Sequence, residues 1–348
     1  MTAAHPYRSI PSYSRWKQGV NEGVDSRELI AGLRFRGLRQ DERVFSAGSC
    51  FASNVIPYLE KAGIAYVRTE QRPPALSPFQ DGLGYEQFSA RFGNIYTSRQ
   101  FLQLLLRCTR QWAPHEDRWR TPAGLVDPLR PGLRYLATSD EEFDALIRSH
   151  LSATKAAIEA ATVVIFTLGL TEAWHAADGA VFPVCPGTVA GEFDPAQHHF
   201  MNLSTSQVTE DLLECRAQIS KINPNARFVL TVSPVPLTAT ATGKHVVVAS
   251  LESKAVLRAA VANAQAADPE IEYFPAYELL MGWHTPSGSW EPDMRTVTTA
   301  GLEYVMSALL SAAGPSNLRP ATSSRASEEL SRLISQADCD EAAYGNFG

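Results

Sequence analysis

Residues 43–63, RVFSAGSCFASNVIPYLEKAG, read as a strand, a tight turn and a helix in immediate succession. The run Arg43–Ala47 is short, apolar and unbroken, as a buried strand is; Gly48 ends it, and apolar residues then recur at helical spacing over 51–61. Ser49 and Cys50 fall in the turn, at the end of the strand and the start of the helix. Backbone N–H groups and the helix dipole at such a place favour a thiolate or a developing oxyanion, so the turn suits a nucleophile. It equally suits an N-capping serine followed by a buried cysteine that serves as apolar filler.

The same alternation continues outward. Apolar strand-like runs at 43–47, 64–67, 163–168, 227–232 and 271–274 are separated by helical patterns at 51–61, 98–108, 140–161, 206–222 and 248–267, with a last helix at 298–311. Unbroken runs such as VVIFTL and FVLTV belong to a parallel sheet covered on both faces, so one α/β domain of about five strands is expected. The stretch 68–92 is poor in periodicity and contains Pro73, Pro74 and Pro78, the kind of excursion that borders a site in open α/β sheets. From 314 to 327 the chain turns rich in Pro, Ser, Arg and Ala, and 328–336 reads as a short amphipathic helix. A globular domain over 1–313 and a C-terminal linker with a helix over 314–348 follow, without internal repeats.

Composition narrows the function classes. The 348 residues are 45% hydrophobic and 20% charged, with 22 Gly and 22 Pro dispersed along the chain, which excludes collagen-like, coiled-coil and wholly disordered proteins. A net charge of −6 and a pI near 5.8 offer no basic field to a phosphate backbone. A small molecule, glycan or peptide is the expected partner, not nucleic acid or membrane. No run of about 18 apolar residues marks a span, and residues 1–20 lack the apolar core of a secretion signal, so the expected location is cytoplasmic. Five cysteines, Cys50, Cys108, Cys185, Cys215 and Cys339, form no CxxC pair and suggest neither a disulfide framework nor a zinc site.

Gly48-Ser49-Cys50-Phe51-Ala52 resembles the signature for which the GSCFA family is named, a family grouped with the SGNH (GDSL-like) hydrolases. Other stretches are similar to the same family: HPYRSIPSYSRW from His5, FGNIYTSRQFLQLL from Phe92, TLGLTEAW from Thr167, CPGT from Cys185, NPNARFVLTVSPVPLTAT from Asn223, SKAVLR from Ser253 and YFPAYELL from Tyr273. The resemblance spans about residues 5–312. It implies a three-layer α/β/α sandwich on a five-stranded parallel sheet, SGNH-hydrolase-like and flavodoxin-like, with the ligand cleft at the C-terminal edge of the sheet.

Laid on the SGNH pattern, the resemblance puts Gly48 at the glycine, Ser49 at the aspartate and Cys50 at the nucleophile, with Ser49 as second candidate. Oxyanion donors would come from backbone N–H groups at that turn, from Gly93 and Asn94 as a second block, and from Gly169 and Thr171 as a third, where Glu172 is a substrate-binding candidate. Thr171 stands where the pattern has Asn, and it also suits an N-cap ahead of Glu172. Tyr96 is a further candidate hydroxyl; Trp174, Trp283 and Trp290 are candidate aromatic walls.

The last block departs from the pattern. SGNH enzymes carry D-x-x-H before the final helix, whereas this chain has Asp293-Met294-Arg295-Thr296, so the acid is present and Thr296 replaces the base. Substitutes are His284, in a Gly/Pro/Trp-rich loop, then His175, and the adjacent His198 and His199. No H-x-x-x-H or HEXXH spacing supports a metal, and without a GxGxxG after a strand or a P-loop no cofactor is implied. Ser253, Lys254 and Arg258 are expected on a helix facing an anionic group or solvent, and Cys108 and Cys215 in the core.

The expected activity is acyl transfer, as an esterase, acyl hydrolase or acyltransferase on an ester, thioester or amide of a small molecule or glycan. Cys50 or Ser49 would attack, and Asp293 would orient a base. Two other readings accommodate Thr296: an inactive glycan- or peptide-binding module, and a biosynthetic enzyme using Cys50 as a covalent thiol.

Overall fold

The structure, a computed structural model, describes residues 5–21, 23–73, 83–85, 87–133 and 136–311. The expected linker and closing helix beyond 313, Cys339, Pro74 and Pro78 lie outside the described residues. In chain order the elements are α1 (Ser26–Ile30), β1 (Arg43–Ala47), α2 (Cys50–Ser53), α3 (Val55–Lys61), β2 (Ala65–Tyr66), α4 (Ser98–Cys108), β3 (Trp119–Thr121), β4 (Gly124–Val126), α5 (Asp140–Ala160) and β5 (Val163–Leu168). There follow β6 (Glu172–His175), β7 (Val181–Phe182), β8 (His199–Asn202), α6 (Thr205–Ile222), β9 (Arg227–Val232), α7 (Val246–Ala267), β10 (Ile271–Tyr273), α8 (Ala276–Leu280) and α9 (Thr299–Ser311). No described helix is long and apolar enough to cross a membrane.

Five strands pair in parallel in the order β2-β1-β5-β9-β10, the expected α/β sheet. Counted along the sheet's own strands this is 2-1-3-4-5, the doubly wound order. The pleat sends successive side chains to opposite faces, which is why these strands are apolar throughout. Phe45, Val164, Phe166, Phe228 and Leu230 pack with Phe101 of α4, Ile158 of α5, Leu212 of α6 and Leu257 of α7. Val44, Val163, Ile165 and Val229 face the other way, onto Phe51, Leu59, Leu279 and Val305 of α2, α3, α8 and α9. Capping boxes start α4, through Thr97 and Gln100, and α6, through Ser204 and Gln207.

The helix expected over 51–61 is two helices. Pro57 has no N–H and its ring would collide with the carbonyl four residues back, that of Ser53, in a continuous helix. The break at Asn54 moves Pro57 into the first turn of α3, where the missing donor costs nothing. Two small sheets were not expected: the β3–β4 hairpin and an antiparallel sheet ordered β7-β6-β8.

At the N-terminal ends of the strands, buried charges close the sheet. Arg227 bonds Glu272 at 2.8 Å and also Glu42, while Arg36 reaches Glu272 at 2.8 Å. Burial disfavours the Glu272 carboxylate, but the Arg227 hydrogen bonds outweigh it and hold its pKa below the usual value.

Candidate active site

In a doubly wound sheet the chain turns to opposite sides where the strand order reverses, opening a crevice at the strands' C-terminal ends. Here the reversal falls between β1, ended by Gly48, and β5, followed by Gly169. The segment 94–96 ties the two together. Ile95 N–H donates to the Gly48 carbonyl at 2.8 Å, and Gly169 and Leu170 N–H donate to the Tyr96 carbonyl at 2.9 and 3.1 Å. These approaches need glycine: a Cβ on Gly48 would lie 2.8 Å from the Thr167 carbonyl oxygen, and one on Gly169 would lie 3.0 Å from the Tyr96 oxygen. The structure thus brings the first, second and third sequence blocks to one place.

Ser49 is the buried N-cap of α2, and its hydroxyl makes no capping bond. Cys50 is half-buried and disulfide-bonded, which corrects the expectation of no disulfide; its thiolate exists only after reduction. Because α2 is a single turn, the field at Cys50 comes from the N–H groups of that turn rather than from a long helix. Cys108 and Cys215 are free and buried in the core as expected, and burial pushes the Cys108 thiol up to about 12. Neither is a nucleophile in this form.

The third block is held from α7. Thr171 is buried, and its N–H and hydroxyl lie 3.0 and 3.1 Å from the Ser253 hydroxyl. Lys254, 2% exposed, donates its ammonium to the Gly169 carbonyl. Both residues therefore point inward at the loop, and the solvent-facing alternative for them is corrected. Glu172 accepts from the Thr240 hydroxyl at 2.7 Å and the Ala241 N–H at 3.0 Å, joining this loop to the one after β9. Arg258 is bound to Glu278 at 2.6 Å and lies over the Tyr273 ring.

The last block does not converge in the same way. Asp293 is exposed, and its carboxylate accepts from Arg295 N–H, Thr296 N–H and the Thr296 hydroxyl at 2.9, 2.9 and 2.6 Å. The Thr296 hydroxyl bond holds its pKa below the ordinary value. It orients its own turn, and no histidine is among its partners, contrary to expectation. His284 packs its ring on Gly282, and its buried Nε2 has no partner among the described residues. His175 is turned into the small sheet, Nδ1 on the Ala176 carbonyl at 2.9 Å and its ring beside His199. His198 is buried against Glu116 at 3.1 Å. Trp174 packs edge-on against Phe193 and Phe200, Trp283 is exposed beside Trp16, and Trp290 donates to the Leu280 carbonyl.

The sequence profile of the GSCFA family matches residues 43–309. The chain belongs to the GSCFA family. No curated protein matches it. Among solved structures, a Clostridium thermocellum family 3 carbohydrate esterase is similar at 11% identity over 78% of this chain and 99% of that one, with a TM-score of 0.32. A Corynascus thermopiles (Myceliophthora fergusii) carbohydrate esterase family 2 enzyme with its carbohydrate-binding domain is similar at 13% identity over 79% and 67%, with a TM-score of 0.30. Likenesses this weak carry no inference about activity.

Two features of this GSCFA chain escaped sequence reasoning. His245 caps α7 through Val247 N–H at 3.3 Å and stands exposed in the loop after β9, at the same edge as the crevice. Its position after Gly243-Lys244 and before a helical pattern is the signal that would have marked it. The other is a bond of 2.8 Å between His150 and Glu70, 80 residues apart, which no local pattern announces.

Proposed function

We propose that the crevice between β1 and β5 is an acyl-transfer site of SGNH type, with Cys50 in its thiol form as the nucleophile. The joining of Gly48, Ile95-Tyr96 and Gly169 by backbone hydrogen bonds supports this reading, since it ties the turn that carries Cys50 to the segment that follows Asn94 at the reversal point of the sheet. A thiol reductant first frees Cys50. The thiolate attacks the carbonyl carbon of an ester, the C–O bond breaks, and the alcohol leaves with the thiol's proton, so an acyl thioester remains on Cys50. Water then adds, the C–S bond breaks, and a carboxylic acid departs; an alcohol acceptor in place of water makes the same sequence a transfer. N–H groups of the 48–50 turn and the Asn94 amide stabilise the oxyanion, each donor being worth roughly 3–4 kcal/mol. A thiolate needs less help from a base than a hydroxyl, which fits an Asp293–Thr296 pair turned onto itself.

The test is intact-protein mass after exposure to p-nitrophenyl acetate and to an acetyl thioester, with and without prior reduction, for wild type, Ser49→Ala and Cys50→Ala. One acetyl group on the reduced wild type, absent in Cys50→Ala and in the oxidised protein, is expected. Loss in Ser49→Ala alone would move the nucleophile to Ser49. No acylation of reduced protein while a control thiol reacts would overturn the reading and favour a ligand-binding module, which the self-contained Asp293 turn also suits.

A further inference from the structure

Between α4, α5 and β7 lies a cavity of about 30 Å³ bordered by Asn94, Gln103, Arg107, Arg130 and His150 among others. One water needs about 10–15 Å³, so the space admits a small ion. His150 is fully buried, with Nδ1 2.8 Å from a Glu70 carboxylate oxygen that also accepts Arg91 N–H at 2.8 Å. A carboxylate only accepts, so Nδ1 carries the proton and Nε2 of the neutral ring is a bare acceptor. His150 borders the cavity and Glu70 does not, so the ring turns its Nε2 edge inward; Nε2 has no hydrogen-bond partner among the described residues.

Arg107 faces the same space. Its guanidinium is buried, and its one ion-pair partner among the described residues is Asp127 at 3.9 Å, too far for a hydrogen bond. Asp127 is committed to Arg130 at 2.7 Å and to Leu129 N–H at 2.9 Å. Arg91 turns its guanidinium to the Leu83 carbonyl and the Tyr85 ring. Of the groups at the cavity, Arg107 and Arg130 are matched by Asp127 and Glu70 while His150 is neutral; a proton on His150 adds one positive charge there.

We propose that this cavity binds a chloride-sized monovalent anion between Arg107 and the imidazolium of His150, taking up one proton with it. Without the anion, burial and then the Arg130 charge hold His150 down at about 4. An anion between Nε2–H and the Arg107 fork attracts both, so proton and anion enter together. The charged and titratable groups facing His150 are Glu70, Arg107 from α4 and Arg130 from the turn after β4, with Asp127 behind the two arginines; β7 contributes only Val181. Of these, His150 alone has an ordinary pKa between 5 and 8, so a bound anion can bring its protonation into that range. Asn94 borders this cavity as well as serving the proposed acyl-transfer site, but the anion proposal rests on Arg107 and His150, which that site does not use.

The test is bromide titration of the full chain at constant ionic strength, balanced with gluconate, reading the thermal unfolding midpoint at pH 5, 6 and 7. A saturable rise is expected, with half-saturating bromide increasing about tenfold per pH unit. Arg107→Gln raises that concentration at least tenfold, and His150→Gln removes its pH dependence. Should either variant fold poorly, wild-type crystals soaked in bromide at pH 5 give a second reading, an anomalous peak in the cavity. A midpoint indifferent to bromide, a rise without pH dependence, or a cavity without an anomalous peak would overturn the proposal.

Discussion

Gly48→Ala probes the tightest point of the crevice. The new Cβ would lie 2.7 Å from the Ala52 Cβ and 2.8 Å from both the Thr167 Cβ and the Thr167 carbonyl oxygen. That oxygen is β5 backbone, locked in the sheet, and cannot swing aside as a long side chain would. The φ of +152° adds a conformation that an L-residue rarely adopts. Backbone strain contributes about 1–3 kcal/mol and overpacking about 1–3 kcal/mol. The sum is roughly 2–6 kcal/mol, and at about 2–4 °C per kcal/mol the unfolding midpoint falls by roughly 4–24 °C. Gly93→Ala is the control: its φ is +68°, but no atom lies within 4 Å of the added Cβ, so strain acts alone and costs about 1 kcal/mol. Calorimetry and urea melts on both variants decide the matter. A Gly48→Ala midpoint within about 2 °C of wild type would refute the reasoning, as would equal losses in the two variants.

Three further outcomes are expected. Arg227→Met takes their most buried arginine partner from the carboxylates of Glu42 and Glu272, leaving them Arg39 and Arg36, and is expected to cost about 3 kcal/mol in urea melts, partly recovered by adding Glu42→Gln. Acidification in halide-free buffer should lower stability between pH 6.5 and 4: the folded pKa of His150, about 4, lies below its ordinary value, so the unfolded chain binds the proton first. The loss amounts to about 3 kcal/mol across the window, and His150→Gln should flatten it. Glu70, which burial would raise but the His150 hydrogen bond brings to about 2, adds a loss only as pH falls from 4.5 toward 2. Lys254→Met removes a donor to the Gly169 carbonyl and is expected to slow Cys50 acylation at least tenfold by mass spectrometry, whereas Arg258→Met, bound to Glu278, stays within about twofold.

Most of the central sheet was legible because its strands are buried on both faces. Arg43–Ala47, Val163–Leu168 and Arg227–Val232 have the bounds that their apolar runs suggest. The β7-β6-β8 sheet was not, since strands of two to four residues are too short to display a period. Lys254 was misjudged for a related reason. The buried stripe of α7 runs through Ala249, Ser250, Ser253, Lys254, Leu257 and Ala260, while Val247, Val248 and Leu251 are exposed. At its N-terminal end the helix therefore inverts the usual pattern, and hydrophobicity alone assigns the wrong face. The block at Asp293 failed differently: the spacing was read correctly, but Thr296 supplies a donor that the carboxylate takes for itself.

The two ends of the sheet use different materials, and this bears on what family membership implies. At the N-terminal ends Arg227, Glu42 and Glu272 close the strands by charge, and Asn223 donates its amide to the Ala161 carbonyl at 2.8 Å and the Ile158 carbonyl at 3.0 Å just past α5. Asn223 begins one of the GSCFA-like stretches, yet it works at the end away from the crevice, where a substitution acts on stability. At the C-terminal ends the residues are small or hydroxylated: Gly48, Thr167, Gly169, Thr171 and Ser233. Without bulky side chains there, main chains from three loops close to hydrogen-bonding distance and set Cys50 and Asn94 on fixed backbone. A stretch such as NPNARFVLTVSPVP serves both ends of one strand, so its resemblance to the family cannot be read as a single role. Substitutions at Asn223 are therefore expected to change unfolding midpoints, and those at Ser233, whose hydroxyl accepts Val235 N–H at 3.2 Å in the loop after β9, to change Cys50 reactivity as well.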